Sequence, residues 1–476
     1  MKRIVPLWIS AALLAACAVG PNYRRPAVET PTGFKNVAPS PAAAAAAPDD
    51  WWTLFHDDEL DQLIVGVEVS NQNLAQAIAA YDQAEAAVRA ARAAFFPTVT
   101  ADATATRVGG GRSANVASVG SVGFSGSGGS NTLYQVTGSA SWELDVWGRL
   151  RRSLENAKAT ADANAADLAS ARLSAQGQLA TAYLELREAD AERRLLTATA
   201  DAYGRTLEIT RNRYRVGTAP KTDVLQAETQ LYSARQQEAA LRLQRAQLED
   251  AIAALVGKPA SDFRLPERET WNIPVPDVPP GIPSTLLERR PDIVVAERNV
   301  AAANATIGVQ EAAYFPSITL TGTAGFLSTT LSNLFAKSNE SHQGALGLSQ
   351  TLLDFGATRA RVAEARAAYA QTVASYRQTV LTAFESVENE LAAADWDRHQ
   401  YDFAKQASDA ADETERLTLN EYKAGTVDYT TVVVAQTAAL SQRRTLAQLA
   451  LSRQTTAVSL ITALGGGWKP AAPPAH

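Results

Sequence analysis

Ala93-Ala94-Phe95-Phe96-Pro97-Thr98-Val99-Thr100 recurs later in the chain as Ala312-Ala313-Tyr314-Phe315-Pro316-Ser317-Ile318-Thr319. In both stretches a helix-compatible alanine run meets two aromatic residues and a proline. Proline stops a helix, because its ring clashes with the preceding turn and it has no N–H to donate. An apolar/polar alternation follows each proline. The match continues outward, with Tyr214-Arg215-Val216-Gly217-Thr218 answered by Tyr422-Lys423-Ala424-Gly425-Thr426. The order helix, hairpin, very long helix, tight turn and returning helix is written twice. A duplication on this scale makes the 476 residues one body of two similar halves, rather than the roughly three domains that length alone suggests.

After Pro97 one set of alternate positions reads Thr98, Thr100, Asp102, Thr104, Thr106 and the other Val99, Ala101, Ala103, Ala105. From Tyr134 the apolar or small set is Tyr134, Val136, Gly138, Ala140, Trp142, Leu144, against Gln135, Thr137, Ser139, Ser141, Glu143, Asp145. This period of two predicts strands, joined by the Gly/Ser-dense link from Gly109 to Asn131. In the second half Ile318, Leu320, Gly322, Ala324 and Phe326 alternate with Thr319, Thr321 and Thr323, and His342 to Leu352 is a fourth strand. Each has the length of a tilted membrane strand, about 9–11 residues. The small polar face suits the wet lumen of a barrel. Four strands fall short of the practical minimum of about eight for a closed barrel. Open edges cannot sit in lipid, where nothing satisfies their backbone groups. Several chains must therefore share one barrel, and a trimer supplies twelve strands.

After each hairpin the period changes. Leu154, Ala157, Ala161, Ala165, Leu168, Arg172, Ala175, Leu179, Ala182, Leu186 and Ala189 keep a heptad spacing, which predicts a left-handed coiled coil with close, alanine-lined packing. This helix runs from about Arg149 to Val216 and its counterpart from Ala357 to about Ala424; at 1.5 Å per residue each is on the order of 100 Å long. Both end at Gly-Thr, where glycine suits the left-handed residue after a helix. The chain returns along Thr222–Val256 and Thr430–Leu464.

Composition removes other classes. There are 44 basic and 50 acidic residues, net −6, and no basic stripe that would suit nucleic acid. His56, His342, His399 and His476 are scattered, without metal-ligand spacing. No cofactor is expected apart from a covalent lipid. No nucleophile–base set points to an enzyme. Arg290-Pro291-Asp292 reads as a helix entry, with proline near the start and Asp as cap. The Arg211, Arg213, Arg215 group reads equally as a solvated helix end or as a patch for acidic groups of a partner. Lys2-Arg3, the apolar run Ile4 to Leu14, and Leu14-Ala15-Ala16-Cys17 form an exported leader. The small residues before Cys17, the sole cysteine, resemble a bacterial lipobox. That resemblance implies cleavage before Cys17, acylation of it, and, with Ala18 following, transport to the outer membrane.

The expected organisation is a signal peptide over 1–16, a lipid anchor and Pro/Ala tether over 17–50, a first repeat over 51–265, a crossover over 266–283, a second repeat over 284–464, and a disordered tail over 465–476. The hairpins fall at about 97–145 and 316–354, and the tips at about 214–223 and 422–431.

Four further stretches carry a family resemblance: Cys17-Ala18-Val19-Gly20-Pro21-Asn22-Tyr23-Arg24-Arg25-Pro26, Ser141-Trp142-Glu143-Leu144-Asp145-Val146-Trp147-Gly148-Arg149, Leu286-Leu287-Glu288-Arg289-Arg290-Pro291-Asp292-Ile293, and Tyr314-Phe315-Pro316-Ser317. The chain resembles the outer-membrane factors of the TolC-like superfamily, in their lipoprotein branch of multidrug-efflux channels. The resemblance implies an α+β membrane protein. Its homotrimer would form a twelve-stranded β-barrel, four strands per chain, continued by a long periplasmic α-helical coiled-coil barrel. It also implies a periplasmic adaptor protein and an inner-membrane pump of the resistance–nodulation–division type as partners, with outer-membrane lipid around the barrel. Val216, Gly217, Thr218, Ala424, Gly425 and Thr426 would contact the adaptor. Asp223 matches a family position that ties neighbouring coils shut through a tyrosine, matched by Tyr422. The aspartate that relatives place at the constriction is Val434 here, with Asp428 close in sequence, so a more apolar constriction is expected. Type I protein secretion and a poreless periplasmic lipoprotein are the competing functions. The lipobox and Arg-Arg-Pro-Asp favour efflux over the first, and the alternating strands argue against the second.

Overall fold

The computed structural model describes residues 18–35, 48, 50–109, 118–119, 122–123, 130–279 and 283–468. Cys17 and the leader lie outside them, as do 469–476. The helices are α1 (Asp58–Ser70), α2 (Gln72–Ala93), α3 (Arg149–Arg215), α4 (Lys221–Leu255), α5 (Pro283–Arg289), α6 (Pro291–Ala312), α7 (Ala357–Ala424) and α8 (Tyr429–Ala463). The strands are β1 (Thr98–Gly109), β2 (Ser118–Val119), β3 (Val122–Gly123), β4 (Ser130–Glu143), β5 (Ser317–Ser328) and β6 (Glu340–Ser349). Among the described residues no helix is long and apolar enough to cross a membrane.

The chain divides into two compact units. The first comprises 1–26, 82–162 and 297–374 and holds an antiparallel sheet of order β1-β4-β5-β6. The two hairpins share one register: Thr98 faces Ser141, and their counterparts Ser317 and Ser349 face each other. Each hairpin is tied to the helix before it. Trp142 Nε1 donates to Phe95 O at 2.8 Å, and Gln350 Nε2 donates to Tyr314 O at 3.4 Å.

Residues 18–26 depart from the expected tether. Val19 N donates to Trp147 O at 3.0 Å. Buried Arg152 donates to Val19 O, Gly20 O and Asn22 Oδ1 at 2.9–3.1 Å, and Tyr23 O–H to Glu297. Gly20 has φ +97°, and a Cβ there would lie 2.4 Å from Gly308 Cα. This stretch is a strap, clamped between α3 and α6 by backbone carbonyls that need a donor.

The second unit comprises 27–81, 163–296 and 375–476. Its core joins Trp51, Phe55, Leu60, Ile64, Leu179, Tyr183, Ile252 and Ile461. Asp57 caps α1, accepting from the N–H groups of Glu59 and Leu60. Burial alone would raise its carboxyl, but hydrogen bonds from Arg268, Tyr183 and Leu60 N override this and hold it below the usual range. The crossover is fixed too: Arg187 donates to Pro266 O and Gln454 to Ile273 O. Of the α3 heptad, Ala161, Ala175, Leu179, Leu186 and Ala189 are buried, whereas Ala165 and Arg172 face out.

The repeat reaches individual hydrogen bonds. Asn71, between α1 and α2, donates from Nδ2 to Leu255 O at 2.8 Å. Arg290, between α5 and α6, donates from Nη1 to Ala463 O at 3.2 Å. Arg290 therefore ties the end of α8, with Asp292 as its ion partner at 2.9 Å. Pro291 opens α6 and Asp292 sits inside its first turn rather than at the cap. Gly257 and Gly465 close α4 and α8, both at positive φ. Gly465 to Gly467 are buried, and Gly466 N donates to Ile461 O at 2.9 Å. They are an ordered turn where the glycine run suggested the start of a disordered tail.

Candidate functional site

The two turns that end α3 and α7 are built alike. Thr218 N donates to Arg213 O (2.9 Å) and Gly217 N to Tyr214 O (3.0 Å). Thr426 N donates to Glu421 O and Gly425 N to Tyr422 O, both at 3.0 Å. Gly217 and Gly425 stand at φ +79° and +80°. Each is a Schellman closure, which satisfies the last helix carbonyls. Val216 and Ala424, the residues before these glycines, are exposed, as are both glycines and both threonines.

The returning helices start differently. α4 opens after Pro220, which offers no side-chain cap, and Asp223 sits in the first turn with its N–H on Pro220 O. α8 opens after Asp428, whose carboxylate accepts from Thr431 N (2.9 Å) and Thr431 Oγ1 (2.7 Å). The carboxylate that favours a helix N-terminus thus lies inside the turn in one repeat and at the cap in the other. Hydrogen bonds from Thr431 hold Asp428 below the usual carboxylate range. Asp223 is shifted up, by burial first and by Asp428 last, while Arg213 pulls it down.

Arg213 joins the two tips. Its guanidinium lies 4.4 Å from the centroid of the Tyr422 ring and donates to Tyr422 O. Tyr422 is 1% exposed, packs on Tyr429 (centroids 5.3 Å), and places its hydroxyl 3.5 Å from Thr210 Oγ1. Tyr203, Leu207, Ala227, Leu231 and Val432 complete this core. Tyr422 is therefore at the centre of the tip, but its polar partners in this chain are Arg213 and Thr210 rather than Asp223. The sequence carries one signal for Arg213: its counterpart in the other repeat is the oppositely charged Glu421. Arg211 pairs with Glu228 at 2.6 Å, and Arg215 is exposed. Val434 is 65% exposed, two residues from buried Val432.

A second polar cluster lies along α3. Glu188 and Glu192, one turn apart, are both buried. Arg444 is ion-paired to Glu192 and donates to Gln237 Oε1 at 3.3 Å. Glu188 is 4% exposed and its Oε1 has no hydrogen-bond partner. Burial, then the neighbouring Glu192, push Glu188 up to about 7 from an ordinary 4.5. Below 4.5 the proton is bound whether or not the chain is folded, so nothing is lost. Between 4.5 and 7 only the unfolded chain sheds it, so stability falls as pH rises. The expected loss is about 3 kcal/mol. Thermal unfolding of Glu188→Gln should lack that part of the pH dependence. An unchanged profile would contradict a raised Glu188 carboxyl.

Among the described residues no three or more His, Cys, Asp or Glu side chains are grouped to hold a metal ion.

The outer membrane efflux protein family model matches residues 63–258 and 282–466. The toluene efflux pump outer membrane protein TtgC of Pseudomonas putida is 31% identical over 98% of this chain and 96% of the relative. The outer-membrane channel OprN superposes with TM-score 0.86 at 28% identity, over 95% of this chain and 100% of that one. The open-state MtrE outer membrane channel of Neisseria gonorrhoeae superposes with TM-score 0.82 at 28% identity, over 95% and 99%. With its two matched segments coinciding with the two repeats, the chain belongs to the outer membrane efflux protein family.

Proposed function

We infer that this chain is the outer-membrane duct of a tripartite efflux system, passing drugs or other small toxic molecules outward without catalysis. The family match carries this reading, and relatives named for toluene efflux and pyoverdine export favour it over protein secretion. Three copies share a twelve-stranded barrel, which explains a four-stranded sheet whose outer strands, among the described residues, each pair on one side only. Cys17 carries the lipid. A periplasmic adaptor docks on Val216, Gly217, Thr218, Ala424, Gly425 and Thr426, the exposed turns, and an inner-membrane pump of the resistance–nodulation–division type drives the cargo. Asp223, Tyr422, Asp428 and Val434 form the periplasmic gate. Exposed Val434 supports an apolar constriction, so Val434→Asp should raise cation selectivity of the pore. Unchanged selectivity would remove Val434 from it.

Native mass spectrometry of detergent-extracted protein tests the assembly. Three chains, each starting at Cys17 with the added mass of a lipid, are expected, and Cys17→Ser should lose that lipid. A single, unlipidated chain would contradict the reading.

A further inference from the structure

Within this chain the end of the first hairpin docks on the start of the second. Leu144 N donates to Ile318 O at 2.9 Å. The Trp147 indole stacks on Phe315, with centroids 4.8 Å apart and planes at 23°, and its Nε1 donates to Pro316 O at 2.8 Å. The second hairpin reproduces the first in register and in its tie to the preceding helix. Phe355 is the counterpart of Trp147, since Gly356 follows it as Gly148 follows Trp147, both glycines at positive φ. Phe96 is the counterpart of Phe315. Trp147 has a seat, but Phe355 is 93% exposed, and so is Phe96 at 66%. Phe355 stands at φ 54°, a left-handed conformation that a bulky residue rarely adopts. Its strand, β6, and the strand after Phe96, β1, are the outer strands of one sheet, with β4 and β5 between them.

We propose that Phe355 of one copy stacks on Phe96 of a second copy of this chain. In the same seam, β6 pairs antiparallel with β1 of that copy in the register that β4 holds with β5. This rests on the shared-barrel reading and adds the residue pairing to it. Ser141 faces Thr321 within the chain, and their counterparts are Ser349 and Asp102. Ser349 therefore stands opposite Asp102 of the next copy, Leu348 opposite Ala103, and Gly347 opposite Thr104. Two physical requirements support this register. Closure fixes the total stagger around a barrel, and a seam between copies that repeats the seam within one spreads that stagger evenly. A one-residue slip would turn the Thr98, Thr100, Asp102, Thr104 face of β1 outward. The seam differs from its template in one respect: Phe355 has no indole N–H, so stacking replaces the hydrogen bond to the proline carbonyl.

Disulfide trapping tests the register. Leu144 and Ile318 are a hydrogen-bonded pair, which puts Ser141–Thr321, and hence Ser349–Asp102, at a non-hydrogen-bonded position with Cα atoms about 4.5 Å apart. That separation is within disulfide reach. Chains carrying Ser349→Cys with Asp102→Cys, oxidised in outer membranes, should run mainly as a covalent trimer on a non-reducing gel. Ser349→Cys with Thr100→Cys, or with Thr104→Cys, should cross-link about tenfold less, because each pair is displaced along the ladder. Stronger cross-linking of a displaced pair overturns the register. No cross-linking by any pair in protein that is trimeric by mass overturns the seam and leaves the shared assembly standing. A monomeric wild type overturns both. Phe355→Ala and Phe96→Ala should each lower the temperature at which the trimer dissociates in detergent, and the double variant should lose no more than either alone. Additive losses would overturn the stacking pair.

Discussion

Arg213→Ala is expected to loosen the periplasmic tip and make cells leaky to hydrophilic antibiotics that the intact outer membrane excludes. The guanidinium contributes a stacking contact with Tyr422, about 1–2 kcal/mol when partly desolvated. It also contributes a charge-assisted hydrogen bond to Tyr422 O, about 1.5–3 kcal/mol. A combined loss of about 3 kcal/mol moves a two-state tip by roughly two orders of magnitude in population. Neither neighbouring arginine replaces it, because Arg211 is engaged by Glu228 and Arg215 faces solvent. Amide exchange around Tyr422 and Tyr429 should accelerate in the same variant. Arg213→Lys should fall between wild type and alanine, since an ammonium keeps the charge but loses the planar stack. Unchanged leak and unchanged exchange would remove Arg213 from the closure.

Gly257→Ala is expected to destabilise the second unit by about 3–5 kcal/mol, through left-handed backbone and a backbone clash together. Gly257 stands at φ +69°, and a Cβ there would lie 2.1 Å from Ser70 O. Its counterpart Gly465, at φ +96°, would meet Arg289 O at 2.3 Å. Gly217→Ala separates the two contributions. It shares the positive φ, at +79°, but has nothing within 4 Å of the added Cβ, so only the conformational cost of about 1–2 kcal/mol remains. Thermal loss of helical circular dichroism should rank the variants Gly217→Ala, then Gly257→Ala, in order of increasing damage. Equal damage would mean that the Ser70 contact carries no weight.

Features set by local chemistry were legible in the sequence. The strands were readable because alternation survives in single residues: β1 starts at Thr98, right after Pro97, as expected. The tips were readable because glycine suits the left-handed position after a helix better than residues with a Cβ. The place before Leu60, Leu63 and Ile64 offers Asp57 or Asp58 as the cap, and Asp57 fills it. Features set by distant partners were not legible. Residues 18–26 look like a loose Pro/Ala tether, yet Arg152 holds them through the Val19 and Gly20 carbonyls, which any sequence offers, with the Asn22 side chain as a third acceptor. Gly465-Gly466-Gly467 look like the start of a tail, yet each glycine meets a positive φ. Arg213 reads in the sequence as one of three cations at a helix end, solvated or facing acidic groups of a partner. Its partner is the face of an aromatic ring in the other repeat, and no spacing along the chain encodes that meeting. Asp223 was expected beside Tyr422 by analogy, but within one chain the tyrosine is satisfied without it.

Single-channel recording in planar bilayers tests the central point, that copies of this chain enclose a water-filled pore gated at the Gly-Thr tips. Purified wild-type protein should give small, discrete conductance steps, and Arg213→Ala steps several-fold larger at the same salt. Correctly assembled trimers that conduct no ions in either form would contradict it.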